Sequence, residues 1–331
     1  MFTFRNRLGL NYTLLVIFTY CINFDDYMNR MLVRFLVLFL LLSIVAIYVF
    51  IPAKLVITSF ESVKCNGNGA ARFLSSPDGL ESFSRGGGGN GYTFRIGAKA
   101  FHEMDVFLQK DGDTLVSQFT ILNVGRLDSI ALRWNCNYSV SLNPLRRVQQ
   151  YRQAVGIRHM MDTVLARTRI FLEKKENIYG MPLVDSMSKD SALLVIKLRT
   201  ATYPSIPEIY RSVAEIREYI ATEGAHAINY PMLHVSGERG GGFETIVGIS
   251  VNRVLKGNGT IVPKRYVPWK IVVGEVRGGT YTTENAMVEL QQYVSDHQQQ
   301  PMGLPFQSMV TERNLEQDTS RWVTRVVQAV P

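Results

Sequence analysis

Cysteine, histidine, proline and charge are all scarce in this chain, and each scarcity removes a class of function. Cys21, Cys65 and Cys136 are the only three cysteines in 331 residues, too few and too far apart for a disulfide framework or a cysteine-based zinc site. Two readings stay open for the later pair: a Cys65–Cys136 bridge outside the cytoplasm, or two buried free thiols. The histidines, His102, His159, His226, His234 and His297, show neither i, i+4 spacing nor paired carboxylates, so no metal site is predicted. No serine sits in a Gly-x-Ser-x-Gly elbow. Gly237-Glu238-Arg239-Gly240-Gly241-Gly242 is glycine-rich, but no strand-to-helix step follows it, and it reads as a hairpin loop instead of a phosphate cradle. No catalytic residue and no cofactor are therefore assigned.

With 46% hydrophobic residues, 19% charged residues and 12 prolines, the chain can build two well-packed cores in two domains. The net charge of +8 invites a nucleic-acid partner. Lys and Arg are spread along the chain, however, and no helix-turn-helix with an exposed recognition helix is visible. A solvated basic surface and no nucleic-acid partner are predicted.

One long apolar run is present, from Leu32 to Ile51, interrupted only by Arg34 and Ser43. At roughly 1.5 Å per residue such a run spans about 30 Å, the thickness of a hydrocarbon core. Residues 31–52 are predicted to be a single-pass membrane anchor. A cleaved signal peptide is the rival reading, but Tyr48-Val49-Phe50-Ile51-Pro52 lacks the small residues a peptidase requires. Arg30 and Arg34 before the run, against Lys54 and Lys64 after it, lean toward a globular part outside the cytoplasm. Residues 1–30 fit nothing downstream: Leu14 to Ile22 is too short to span, and Met28 or Met31 would each begin a conventional anchor, so translation is predicted to start there. A short additional membrane-associated segment is the alternative.

The C-terminal part repeats one order of elements. A strand at Ala192 to Leu198, a helix from Ile206 to Ala221 and strands at Met232 to Ser236 and Phe243 to Val254 form the first unit. Trp269 to Val276, a helix from Thr283 to Gln298, Phe306 to Thr311 and Trp322 to Val327 form the second. Ile209, Val213, Ile216 and Ile220, and again Ala286, Met287, Leu290 and Val294, recur at helical spacing; β-branched runs bounded by Gly and Pro mark the strands. Two such half-sheets cannot each bury an apolar face alone and should pair about a pseudo-twofold axis, leaving a ligand-sized cleft.

Phe243-Glu244-Thr245-Ile246-Val247-Gly248-Ile249-Ser250-Val251, Gly279-Thr280-Tyr281, Pro305-Phe306-Gln307-Ser308-Met309 and Asp318-Thr319-Ser320-Arg321-Trp322-Val323-Thr324 resemble the gyrase-inhibitor-like (GyrI-like), or bacterial transcription activator effector-binding, family over residues 188–331. The resemblance implies a duplicated β-α-β-β module, a bacterial inner-membrane setting for the anchor, and a cleft for an amphipathic small molecule. Many members carry an acidic residue in a Pro-x-Glu pattern that pairs with cationic ligands; the matching position here is Gln307, which offers hydrogen bonds without countercharge.

Between anchor and repeat, residues 54–180 read as a separate domain. Strands are predicted at Lys54 to Val63, Tyr92 to Ile96, His102 to Lys110, Thr114 to Val124 and Ser129 to Tyr138. A short helix at Ala70 to Leu74, turns at Ser76-Pro77-Asp78-Gly79 and Asp111-Gly112-Asp113, a Gly86 to Gly89 loop and a long helix from Leu145 to Lys175 complete it. This order resembles the START-like, or polyketide-cyclase-like, helix-grip fold, which implies a second apolar cavity suited to lipid-like molecules. Arg146 to Arg169 would suit anionic headgroups were the long helix near a bilayer.

The fold class is thus α+β: a transmembrane helix, a helix-grip domain and a duplicated effector-binding domain. The predicted function is a membrane-anchored sensor or carrier of an amphipathic or aromatic ligand. Phe243 and Trp322 would supply stacking surface, Tyr281 an aromatic wall, Gln307 a central amide and Glu244 an acidic contact at the edge. Two alternatives stay open: a hydrolase of small electrophiles using Glu244 or Glu275 as base, and an interaction platform without a ligand.

Overall fold

The computed structural model describes residues 31–76, 79–83, 91–100, 102–110, 112–126, 128–188, 192–265 and 268–331. The N-terminal segment 1–30, the Gly86 to Gly89 loop and parts of the turns at 76–79 and 111–113 lie outside them. Helix α1, Met31–Phe50, is long and apolar enough to cross a membrane or to act as a signal sequence, with a mean hydropathy of 2.7, and none of its apolar window is buried. Its end is fixed to the globular part: buried Arg147 donates through Nε to the Ile51 carbonyl at 2.7 Å and lies 4.7 Å above the Tyr48 ring.

Five antiparallel strands form the first sheet, in the order β1 (Lys54–Val63), β5 (Ser129–Ser139), β4 (Asp113–Arg126), β3 (Glu103–Lys110), β2 (Thr93–Ala100). A short α2 (Gly67–Leu74) is capped by the Asn66 side chain, and the 29-residue α3 (Pro144–Leu172) by Asn143 with proline in its first turn. Strand alternation puts Ile57 and Val63, Ile130, Leu132 and Trp134, Phe119 and Ile121, and Met104, Val106 and Leu108 on one face. That face packs against Ile157, Met161, Val164 and Leu165 of α3. Phe94 and Phe119 meet Trp134 edge-on at 5.6 and 5.9 Å, and Ser117 accepts the Trp134 indole N–H at 2.9 Å. The buried stripe of α3 differs from the expected one at Tyr151 and Val155, which are exposed. The chain leaves α3 at Leu172, and α4 (Lys175–Tyr179) ends on Gly180 in the left-handed region.

The second sheet has eight antiparallel strands, ordered β10-β7-β9-β8-β12-β13-β11-β6. Its members are β6 (Leu183–Met187), β7 (Ala192–Thr200), β8 (Met232–Gly237), β9 (Phe243–Val251), β10 (Val262–Arg265), β11 (Lys270–Arg277), β12 (Phe306–Met309) and β13 (Val323–Val330). Helix α5 (Ile206–Thr222) follows β7 and opens on a capping box, Ser205 with Glu208. Helix α6 (Thr280–Asp296) follows β11. The halves meet at β8 and β12, where Gln307 pairs with Leu233 and Ser308 with Met232. The four-residue β10 and five-residue β6 were not predicted. The strand preceding each β-α-β-β run crosses to the other half: β6 pairs with β11, and β10 with β7.

Two apolar clusters are present, and the division between them does not fall between the two sheets. Apolar side chains under α5 form their own cluster with β7, β8 and β9. Those under α6, including Leu290, Tyr293 and Val294, belong instead to the cluster that fills the first sheet. An amphipathic stripe shows that a face is buried, not which neighbour buries it. Polar groups tie this junction together around buried Asp296, whose carboxylate accepts from the Tyr179 hydroxyl and from Gln292, each at 3.0 Å, and lies 3.5 Å from Arg72. Burial and the Asp296 carboxylate push the Tyr179 hydroxyl far above its ordinary pKa, so it stays a donor. Gly69 makes the approach possible, because a Cβ there would sit 2.6 Å from the Tyr179 oxygen. Cys65 and Cys136 are buried free thiols, which settles the reading left open between them.

Candidate functional site

Strand alternation divides the predicted site between the two faces of the eight-stranded sheet. Gln307 and Thr324 face the side carrying α5 and α6, in the seam between the helices, where β8 meets β12. The chain from Thr311 to Trp322 folds over that seam. It is latched by ion pairing between Arg217 of α5 and Glu312, by the Tyr210 hydroxyl donating to the Thr311 carbonyl at 3.3 Å, and by the Trp322 indole donating to the Glu316 carbonyl at 2.9 Å.

From this segment Arg313 turns inward and is only 5% exposed. Its Nη2 donates to Thr324 at 2.7 Å and to the Gln307 amide oxygen at 3.4 Å, and its guanidinium lies 5.1 Å from the Trp322 ring centre. Its backbone N–H donates to the Tyr210 hydroxyl at 2.7 Å. Among the described residues no carboxylate pairs with it, and its Nε has no hydrogen-bond partner. Burial lowers its pKa from the ordinary arginine value. Tyr203 is hydrogen-bonded to Gln307, with its pKa raised by burial, and stacks edge-on against Phe243 at 5.6 Å. On the same face Thr200 and Thr245 hold buried hydroxyl oxygens without a partner. The seam is thus a buried cation in an aromatic and amide setting, with hydrogen-bonding capacity left over.

Of the predicted site residues, the structure gathers Gln307, Trp322 and, through Tyr203, Phe243. Tyr281 stands 76% exposed on the first turn of α6, outside this cluster. Glu244 follows Phe243 on one strand and must face the other way; it pairs with Lys197 at 3.2 Å. Glu275 is likewise held by Arg325 at 3.0 Å on that opposite face. Arg313 was missed because it belongs to an irregular segment in which no periodicity marks a residue as buried. Among the described residues, no cluster of His, Cys, Asp and Glu is suited to hold a metal ion.

The opposite face of the sheet is hollow. A cavity of about 640 Å³ lies over β11, β13 and β12, bounded by Trp269, Ile271, Met302, Phe306 and Val327. A second, of about 260 Å³, lies over β7, β8 and β9, bounded by Leu193, Val195, Lys197, His234 and Ile246. Met232, Arg265, Leu304 and Phe306 line both.

No protein-family model and no curated protein matches this chain. Its structural neighbours include the C-terminal domain of EcmrR, at 16% identity and a TM-score of 0.37, over 46% of this chain and 98% of that one. SAV2435, solved bound to tetraphenylphosphonium, is similar at 12% identity and a TM-score of 0.31, over 46% of this chain and 94% of its own. A START superfamily protein from Mycobacterium smegmatis is similar at 13% identity and a TM-score of 0.24, over 34% of this chain and 96% of its own.

Proposed function

We propose that this protein binds a small amphipathic or aromatic molecule in the seam between α5 and α6, and that the molecule carries a negative charge. The protein would be tethered to a bacterial inner membrane by α1, with its globular part outside the cytoplasm. Residues 188–331 read as a duplicated effector-binding module of the GyrI-like kind, a reading supported by the two β-α-β-β runs and their exchanged flanking strands. Residues 54–180 read as a helix-grip domain, supported by α3 packed across a five-stranded sheet.

One observation carries the choice of ligand: a guanidinium 5% exposed, stacked on Trp322, with no carboxylate partner among the described residues. A buried cation without an anion is costly, and a ligand carboxylate, sulfonate or phosphate would remove that cost. Gln307, where an acidic residue would favour cations, adds a neutral amide, and Tyr203, Phe243 and Trp322 supply aromatic surface. Entry requires Arg313 and the segment over it to shift.

The test is calorimetric titration of the full chain with aromatic carboxylates and sulfonates, each matched to an ammonium of the same skeleton. Anions are expected to bind and their cationic twins not. Arg313→Gln should weaken the anions roughly 10- to 100-fold, the worth of a charge-assisted hydrogen bond. Equal binding of cations, or affinity unchanged in both Arg313→Gln and Trp322→Ala, overturns the reading.

A further inference from the structure

The sheet face turned away from α5 and α6 has the wrong surface for water. Its outward positions on β11, β12 and β13 include Ile271, Phe306, Val327 and Ala329, where a solvated antiparallel sheet would alternate to polar residues. Met302, Gly303 and Leu304 border this stretch beside the end of β13, held by the Met302 N–H donating to the Ala329 carbonyl at 2.8 Å and the Gln328 amide donating to the Gly303 carbonyl at 3.4 Å. The cavity of about 640 Å³ opens beside them, within the ordinary range for ligand pockets. Met187, Met232 and Met302 in its wall are side chains that adjust to irregular apolar guests.

Polarity in the adjoining chamber has one sign. Among the described residues, neither cavity is lined by Asp or Glu, while Lys197, Lys264, Arg265 and Arg325 all contribute. Lys197 is shared with Glu244 and Arg325 with Glu275. Lys264 and Arg265, neighbours on β10, have no such partner among the described residues. His234 adds an unmet polar atom. Its Nδ1 lies 2.6 Å from the Pro305 carbonyl, which can only accept, so Nδ1 carries the hydrogen, and Nε2, buried without a partner, is an acceptor that takes no part in holding an anion.

We propose that this face is a second binding site, for a single-chain anionic amphiphile: an apolar tail beside Met302 and against Trp269 and Phe306, an anionic head on Lys264 and Arg265. Carboxylate and phosphate heads both meet this chemistry. The site is separated from Arg313 by the sheet and rests on different residues.

The full chain in phosphatidylcholine nanodiscs would be irradiated with three diazirine-tagged C16 probes: palmitate, lysophosphatidate and neutral hexadecanol. Adducts would then be mapped by peptide mass spectrometry. Peptides containing 265–271 and 299–308 are expected to be labelled by an anionic probe at least tenfold more than by the alcohol. Labelling by palmitate alone assigns a fatty-acid head, and by lysophosphatidate alone a phosphate head. Lys264→Glu with Arg265→Glu, on an exposed edge strand, should cut labelling about tenfold. Val327→Trp, which fills the larger cavity, should abolish it without changing aromatic-anion binding at Arg313. Labelling confined to Met31–Phe50, equal labelling by hexadecanol, or labelling that survives both variants overturns the proposal.

Discussion

The two sheets solve the same packing problem differently. The first is covered by one long helix: α3 lies across it, and Trp134, Phe119, Leu132 and Met161 fill the space between, with the one large polar handle, the Trp134 indole N–H, met by Ser117. The second is covered by two shorter helices, each closing its own half. At the central pair β8 and β12, Leu233 and Met309 join the cluster under α5, and the seam beside them is filled by Gln307, Thr324 and a buried arginine. One helix makes a core; two leave a seam, and polar chemistry collects in it.

That contrast can be broken most forcefully at Trp134. Trp134→Ala should cost about 3–5 kcal/mol through lost burial and the cavity left behind. Because the same cluster contains Leu290, Tyr293 and Val294, hydrogen exchange should accelerate in α6 and β11 as well as in the first sheet. Faster exchange limited to the first sheet would show that the shared core is not shared.

The junction itself is tested at Asp296. Removing its carboxylate leaves Tyr179 and Gln292 without their acceptor and Arg72 with Glu289 alone. Arg72 remains partly solvated, so Asp296→Ala is expected to cost about 2 kcal/mol, less than a fully buried pair would. A single calorimetric transition should split in two as the sheets uncouple; a variant that still melts as one unit would assign the coupling to apolar contacts alone.

At the seam the expected sign reverses. Arg313→Met replaces a buried cation lacking a counterion with an apolar side chain of similar length, and should raise stability by about 1 kcal/mol while removing anion binding. Urea unfolding checks this, and a loss of stability would mean that the hydrogen bonds to Gln307 and Thr324 outweigh the burial of charge.

The smallest effect belongs to the two thiols. Burial pushes Cys65 up to about 12 and Cys136 to about 11, from 9.0. The folded state thus holds its protons where the unfolded state has lost them. Their contribution is complete below pH 9 and lost as pH rises through 11 to 12. Cys65→Ala with Cys136→Ala should flatten the wild-type decline in stability above pH 9, and parallel pH curves would rule the thiols out.

Much of this was legible in the sequence. Helix α5 carries its own start signal, Ser205 with Glu208, and its stripe of Ile209, Val213, Ile216 and Ile220 is the buried one. The repeated element order and the apolar run of α1 were equally plain. Strands β6 and β10 were not, because four or five residues of mostly exposed pattern become strands only by pairing with partners far along the chain. Glu244 was read as an acidic contact at the edge of the cleft that Phe243 lines, although alternation alone separates adjacent strand residues.

Local order was thus fixed by the chain itself: periodicity, caps and turn residues act within a few positions and need no distant partner. Tertiary structure alone decided that the stripe of α6 joins the cluster that fills the first sheet, that the second sheet is hollow on one face, and that Arg313 lies in the seam without a carboxylate. Burial of a charge depends on what the rest of the fold brings around it, and no local pattern in the sequence records that.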